Sequence, residues 1–230
     1  MRAYVLCGGF GTRLRAVTDS QKALVPVRGE PFMLHVLRQL ARAGIDEAVL
    51  CAHYRAEQVA DQLPELSAKA GLALSLVVEA SPMGTGGALL NALHAHPAQA
   101  RYLVLNADTF VDVQGYRQMV LAQGNALLAV QVDDRARYGS LELNDAGQLT
   151  ALKEKGLQGA GLINGGVYAF EASTFSDSPV RACSMEHDLL PALLHRETMQ
   201  ALAYSGRFID IGTPDSLARY TRDYAADTPL

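Results

Sequence analysis

Glycines, cations and carboxylates in this sequence stand where apolar runs end, a pattern suited to holding phosphate. Gly8, Gly9 and Gly11 fall within four residues, directly after Tyr4-Val5-Leu6-Cys7, and Thr12, Arg13 and Leu14 follow. Lacking Cβ atoms, these glycines let backbone N–H groups approach an anion, and Arg13 can grip a phosphate through two parallel hydrogen bonds. A glycine-rich turn alone is a weak motif. No glycine stands where G-x-G-x-x-G needs its third, and no Lys-Ser or Lys-Thr pair closes a Walker-type loop. Lys22, in Gln21-Lys22-Ala23-Leu24-Val25-Pro26-Val27, is near enough in the chain to add a second cation, although a lone loop lysine is more often simply solvated. Asp108 closes Tyr102-Leu103-Val104-Leu105-Asn106-Ala107, and Asp210 closes Phe208-Ile209. A carboxylate just past a strand can reach Mg²⁺, which takes one or two carboxylates and fills its shell with water and substrate oxygens. An isolated Asp there is more often a turn former or helix cap. Asp112 fits that second description as the opening of a helix, Asp188 is a lesser ligand candidate, and Asp108 with Asp210 form the candidate Mg²⁺ pair.

The elements that must present these residues alternate. Tyr4-Val5-Leu6 reads as a buried strand, Phe32–Ala43 as a helix with Pro31 before it and Gly44 after it, Ala48–Cys51 as a strand, Glu57–Leu63 as a helix and Ala73–Glu79 as a strand. The helix Gly86–Ala95 and the strand Tyr102–Leu105 follow. Apolar strands separated by helices predict a Rossmann-like α/β fold, a mixed, mostly parallel sheet with helices on both faces and ligands at the carboxyl ends of its strands. From Ala126 the rhythm changes. Strands at Ala126–Val132, Gly139–Leu143, Leu149–Lys153 and Leu162–Phe170 are joined by turns rather than long helices. Glu186–His195 reads as a helix, Gln200–Tyr204 and Arg207–Ile209 as short strands, and Pro214–Tyr224 as a helix capped by Thr213. The expected organisation is one domain over residues 1–230, with an α/β part up to about residue 125 and a β-rich part after it.

Composition excludes other classes. A formal net charge of −4 speaks against nucleic acid as a partner, since that affinity needs a basic surface to displace counterions. Cys7, Cys51 and Cys183 are scattered without C-x-x-C spacing, so neither a disulfide framework nor a zinc site is expected. No basic leader and no bilayer-length apolar stretch is seen, which makes a cytoplasmic protein without a membrane partner the expectation.

The run Gly8-Gly9-Phe10-Gly11-Thr12-Arg13-Leu14 resembles the signature of the sugar-1-phosphate nucleotidylyltransferases, which join a nucleoside triphosphate to a sugar phosphate. Several ordered motifs extend the resemblance over essentially the whole chain. Gln21-Lys22-Ala23-Leu24-Val25-Pro26 is similar to the family's proline-lysine-proline segment, with Gln21 and Ala23 where the family has prolines. Pro82-Met83-Gly84-Thr85-Gly86-Gly87 resembles its nucleoside turn, Tyr138-Gly139 its sugar-side pair, Glu154-Lys155 its glutamate-lysine pair, Asn164-Gly165-Gly166-Val167-Tyr168 its N-x-G-x-Y strand, and Asp210-Ile211-Gly212-Thr213 its D-x-G-T segment. The resemblance implies nucleotide contacts from Leu6, Gly8, Gly9, Gly11, Thr12, Arg13, Glu79, Gly84, Thr85 and Gly86. It implies sugar-phosphate contacts from Asn106, Tyr138, Gly139, Glu154, Lys155, Asn164, Gly165 and Glu186. For Glu186 a charge placed at the start of a helix is an equally good account.

Two anions that repel one another must react in this chemistry, so the site has to supply positive charge and alignment. Arg13, Lys22 and Asp108 are the expected catalytic residues, with Mg²⁺ on Asp108 and Asp210. The set P-M-G-T-G-G-A-L, K-E-K-G, G-L-I-N-G-G-V-Y, S-M-E-H-D-L-L-P and F-I-D-I-G-T-P is similar to the bacterial D-glycero-D-manno-heptose 1-phosphate guanylyltransferases. That implies GTP and a heptose 1-phosphate as partners, held by a nucleotide-binding part up to about residue 125 and a sugar-binding part after it, and a nucleotide sugar for cell-surface polysaccharide as product; the assembly expected is a monomer or homodimer. The rival readings are uridylyl transfer to N-acetylmuramate 1-phosphate, guanylyl transfer to mannose 1-phosphate, and a non-catalytic nucleotide-sugar sensor. The reading as an NAD-dependent dehydrogenase fails, because this sequence lacks the third fingerprint glycine and a matching catalytic set.

Overall fold

The computed structural model describes residues 1–14, 20–153 and 156–224. β1 (Arg2–Leu6) empties into the glycine loop, and short 3₁₀ turns follow at Thr12–Leu14 and Lys22–Leu24. β2 (Pro26–Val27) and β3 (Glu30–Pro31) form a small hairpin turned through Arg28 and Gly29, both at positive φ. The expected helix after Pro31 is α1 (Phe32–Arg42), which buries Phe32, Met33, Val36, Leu37 and Leu40 along one side and stops before Gly44 at φ 90°. β4 (Glu47–Ala52) then leads into α2 (Ala56–Ala70), longer than Glu57–Leu63 because it continues through Pro64. Pro64 removes one backbone donor, but Leu66 and Ala70 beyond it are buried, and that burial carries the helix on to Gly71.

β5 (Ala73–Val78) and α3 (Gly84–Ala95) precede β6 (Tyr102–Asn106), β7 (Thr109–Val111) and α4 (Val113–Leu121). Asp112 caps α4, accepting from the N–H groups of Gln114 and Gly115, as its position before a helix predicts. The β-rich stretch comprises β8 (Asn125–Val132), β9 (Ser140–Leu143), β10 (Leu149–Lys153) and β11 (Gly161–Phe170). The helix expected over Glu186–His195 is divided. A π-turn at Met185–Leu189, capped by Ser184, runs into α5 (Leu190–Leu194), whose Pro191 has no N–H to extend a regular ladder. β12 (Met199–Tyr204), β13 (Phe208–Asp210) and α6 (Pro214–Asp223), capped by Thr213, complete the chain.

Among the described residues nine strands share one sheet, in the order β10-β9-β11-β6-β1-β4-β5, with β8 joined to β11 and β12 to β8. The β6-β1-β4-β5 portion is parallel, β11 enters antiparallel to β6, and the sheet is therefore mixed. Alternate side chains feed two cores. Ala3, Val5, Leu103 and Leu105 face α1, α2 and α4, whereas Tyr4, Tyr102 and Val104 face α3 and α5. Cys7, Cys51 and Cys183 are buried free thiols, and among the described residues no helix is long and apolar enough to cross a membrane.

This topology arranges the chemistry. The carboxyl ends of β6, β1, β4 and β5 lie side by side and release Asn106 to Asp108, Cys7 to Gly9, His53 and Glu79 in that spatial order. Adjacent strands are ~4.8 Å apart, so the Asp108 and Glu79 ends of this row are roughly 14 Å apart.

Candidate active site

Two cavities open along that row and share Asn106 and Asp108. The glycine-side cavity, about 340 Å³, is lined by Leu6, Gly8, Gly9, Lys22, Glu79, Gly84 and Thr85 among others. The β11-side cavity, about 380 Å³, is lined by Arg13, Arg137, Tyr138, Gly139, Asn164, Gly165, Glu186 and Asp210. Gly11, Thr12 and Gly86 line neither cavity. Glu154 and Lys155 lie outside the described residues.

Two glycines of the first loop have their own reasons. At Gly8 a Cβ would stand 2.8 Å from Glu79 Oε1 and 3.3 Å from His53 Cβ, so the missing side chain admits the Glu79 carboxylate. Gly11, at φ 57°, packs against the Lys22 stem, where a Cβ would come within 3.0 Å. Glu79 Oε2 accepts the Met83 N–H at 2.9 Å. Burial raises the Glu79 carboxyl above the ordinary glutamate range, and the Met83 N–H opposes that shift.

Lys22 is presented by Gln21. That side chain is buried, donates through Nε2 to the Cys7 carbonyl and accepts the Ala23 N–H at 2.7 Å, while the Gln21 N–H donates to Gln58 Oε1 at 2.7 Å. A hydrogen-bonded glutamine thus rigidifies the turn where the resembled family has proline. From this turn Lys22 Nζ pairs with Asp108 Oδ2. Asp210 is brought to the same place by β13 pairing with β7, and the Ile211 N–H donates to the Asp108 carbonyl at 3.0 Å. Gly212 completes the cluster. A Cβ there would lie 2.6 Å from Asp210 Oδ1, 3.2 Å from Lys22 Nζ and 3.3 Å from Arg13 Nη2, so the bare backbone leaves room for the Asp210 carboxylate and the two cations around Gly212. Asp108 and Asp210 line one cavity and offer a pair of carboxylates, a donor set that suits Mg²⁺ sharing its shell with substrate oxygens. Among the described residues no group of three or more His, Cys, Asp or Glu side chains could hold a metal unaided.

On the β11 side, the Asn164-Gly165-Gly166 run forms a bulge where the β11–β8 register shifts. Asn164 Oδ1 accepts the Gly166 N–H at 2.9 Å and its Nδ2 donates to the Tyr168 hydroxyl at 2.7 Å, so both ends of this amide are engaged. Gly166 has φ 67°, and a Cβ there would strike Asn106 Nδ2 at 2.6 Å. Tyr168 is buried, which raises its phenol well above the usual value, and its hydroxyl reaches Glu186 Oε1 at 3.4 Å. Glu186 Oε2 also accepts from Thr85 Oγ1 at 3.0 Å, so one carboxylate ties the turn at one cavity to the strand at the other. Burial likewise raises the Tyr138 phenol.

The α3 N-terminus is held by the segment that leads into the π-turn. The N–H groups of Gly86 and Gly87 both donate to the Cys183 carbonyl at 3.0 Å, and a Cβ at Gly86 would meet Cys183 Sγ at 2.9 Å. Gly86 is thus required by a protein neighbour, which is why it faces no cavity. Sequence reasoning passed over Gln21, Gly212 and Arg137. The first two lay inside quoted motifs, but their value depends on packing partners; Arg137, beside Tyr138-Gly139, lines the β11-side cavity and contacts Thr213 Oγ1 at 3.5 Å.

Residues 2–227 match the model of the nucleotidyl transferase family. The chain is 30% identical over 217 residues to D-glycero-alpha-D-manno-heptose 1-phosphate guanylyltransferase of Campylobacter jejuni, covering 94% of this chain and 96% of that one. It is 32% identical over 223 residues to the mannose-1-phosphate guanylyltransferase catalytic subunit beta of Drosophila pseudoobscura pseudoobscura, covering 93% of this chain but 59% of that subunit. The crystal structure of HddC from Yersinia pseudotuberculosis complexed with GMP-PN superposes with a TM-score of 0.81 at 31% identity, over 95% of this chain and 96% of that chain.

Proposed function

This chain belongs to the nucleotidyl transferase family, and we propose that the group it transfers is guanylyl, from GTP, onto D-glycero-D-manno-heptose 1-phosphate. The reaction it catalyses is nucleotidyl transfer from a nucleoside triphosphate to a sugar 1-phosphate. The observation that carries the base is Glu79, a buried carboxylate at the end of the glycine-side cavity remote from Asp108. Guanine presents two adjacent N–H donors on one edge, which suit a carboxylate acceptor. Uracil presents one donor between two carbonyls that a carboxylate repels. The names of the Campylobacter and Yersinia relatives support the same reading, and the former supports the heptose.

In this reading the sugar 1-phosphate lies in the β11-side cavity among Tyr138, Gly139, Asn164 and Glu186, and GTP lies in the glycine-side cavity. A sugar-phosphate oxygen attacks the α-phosphorus in line with the departing pyrophosphate. Lys22 neutralises charge at that phosphorus, the backbone of Gly8 and Gly9 borders the triphosphate, and Arg13, which lines the β11-side cavity with Asp108 and Asp210, offsets charge from the side of the sugar phosphate. Asp108 and Asp210 would hold Mg²⁺, which when bound supplies charge that offsets the repulsion between the two anions. The enzyme works in the cytoplasm as a single domain, with its nucleotide part ending near residue 125.

The test is a matrix of four nucleoside triphosphates against several sugar 1-phosphates, read as pyrophosphate release. GTP with the heptose phosphate is expected to give the highest kcat/KM. A preference for UTP or CTP overturns the guanylyl reading, and a preference for mannose 1-phosphate overturns the sugar.

A further inference from the structure

An aromatic wall stands at the glycine-side cavity that none of the roles above uses. Phe10 is 45% exposed although apolar, and it lines that cavity. Its ring meets His53 edge-on, with centroids 5.9 Å apart at 86°, and rests tilted on Tyr54 at 5.4 Å. The wall is tied to both the loop and the base end of the row. The Tyr54 N–H donates to the Gly8 carbonyl at 3.4 Å, and His53 Nδ1 lies 3.1 Å from the Glu79 carbonyl oxygen. Beside Phe10 the loop is open, since a Cβ at Gly9 would meet nothing within 4 Å.

The ligand that suits this cavity is defined by its two ends. Lys22 and Asp108 stand at one end and the buried Glu79 at the other, so the occupant is ionic at one end and hydrogen-bonded at its opposite edge. Between them an exposed aromatic ring on the lining gains by covering a flat, conjugated surface, because stacking removes both faces from water without asking for directional bonds. We infer that Phe10, backed by His53, is the surface on which the nucleotide's base stacks, and that it sets nucleotide affinity while leaving the transfer step to other residues. The inference rests on the nucleotidyl transfer reading, and it specifies a face of the base where Glu79 specifies an edge.

The sequence contains no tryptophan, so a Phe10→Trp variant carries a single indole reporter at this position. Its emission is expected to change on adding GTP, along the same saturation curve as the heat of GTP binding measured by calorimetry on the same variant. In steady-state assays Phe10→Ala and Phe10→Leu are expected to raise the KM for GTP about tenfold, with kcat and the KM for sugar phosphate within roughly twofold of the parent, and Phe10→Tyr to behave as the parent. A silent indole while calorimetry records GTP binding overturns the inference, as does a Phe10→Leu enzyme with the parent KM. An indole that responds to UTP but not GTP upholds the stacking role and removes the guanine reading instead.

Discussion

Lys22 Nζ and the Asp108 carboxylate form an ion pair across 86 residues of chain, joining the loop after β1 to the end of β6. Both side chains are largely shielded, at 13% and 32% exposure, so the pair is held by the fold rather than by chance encounter at the surface. Each partner keeps the other at the place where the two cavities meet, which is where a phosphorus under attack would have to sit.

Replacing Asp108 with Asn keeps the shape and removes the charge. Turnover is expected to fall about 10²–10³-fold, the scale of losing a principal electrostatic group in a site. Circular dichroism should show a folded protein, and an undiminished rate would remove Asp108 from the site.

Gln21→Ala deletes the side chain that seats Lys22 and leaves the Cys7 carbonyl and Ala23 N–H without their partner. Stability should drop by about 1–3 kcal/mol in denaturant unfolding, because those groups are buried. The kcat should fall as well, since Lys22 is then held less firmly. A variant that loses stability and keeps kcat would separate the glutamine from the positioning of Lys22.

Glu79 has its folded pKa above the unfolded value, because burial disfavours the charged form. Its contribution to stability is therefore fully present below the unfolded pKa and is lost as pH rises through the folded one. Relative to Glu79→Gln, the parent should lose stability over that window in thermal melts recorded across pH. The proposed guanine recognition by Glu79 runs the other way. The ionised carboxylate is the acceptor, so kcat/KM for GTP should fall as pH drops through the raised pKa, and Glu79→Gln should flatten that limb and narrow the preference for GTP over UTP.

Gly87→Ala would place a Cβ 2.6 Å from the Arg181 carbonyl oxygen and 2.8 Å from Met83 Cβ. The backbone oxygen cannot swing away, so a loss of about 1–3 kcal/mol is expected on unfolding. Because the 181–184 segment also presents Glu186 to Thr85, the KM for both substrates should rise. Unchanged stability would show that the segment yields more easily than its hydrogen bonds to α3 suggest.

The residues themselves determined a good deal. Apolar runs of strand length ending in Gly8, Glu79, Asn106 and Asp210 were legible as strands that deliver polar groups to one edge, because hydrophobic periodicity and the residues that break it are local properties. The glycine loop and the two aspartates were legible as candidates for a phosphate site on the same grounds. What the tertiary structure decided was which of these groups meet, and why three of the glycines are glycines. Gly8 makes room for Glu79, Gly86 for Cys183, and Gly212 for Lys22 and Arg13. Those neighbours come from distant parts of the chain, and no spacing in the sequence records them. Gln21 is the sharpest case, a residue that departs from the resembled motif yet fixes Lys22 through hydrogen bonds to Cys7 and Ala23. A hydrogen bond to a buried carbonyl depends on where two separate loops come to lie, and only the folded chain sets that.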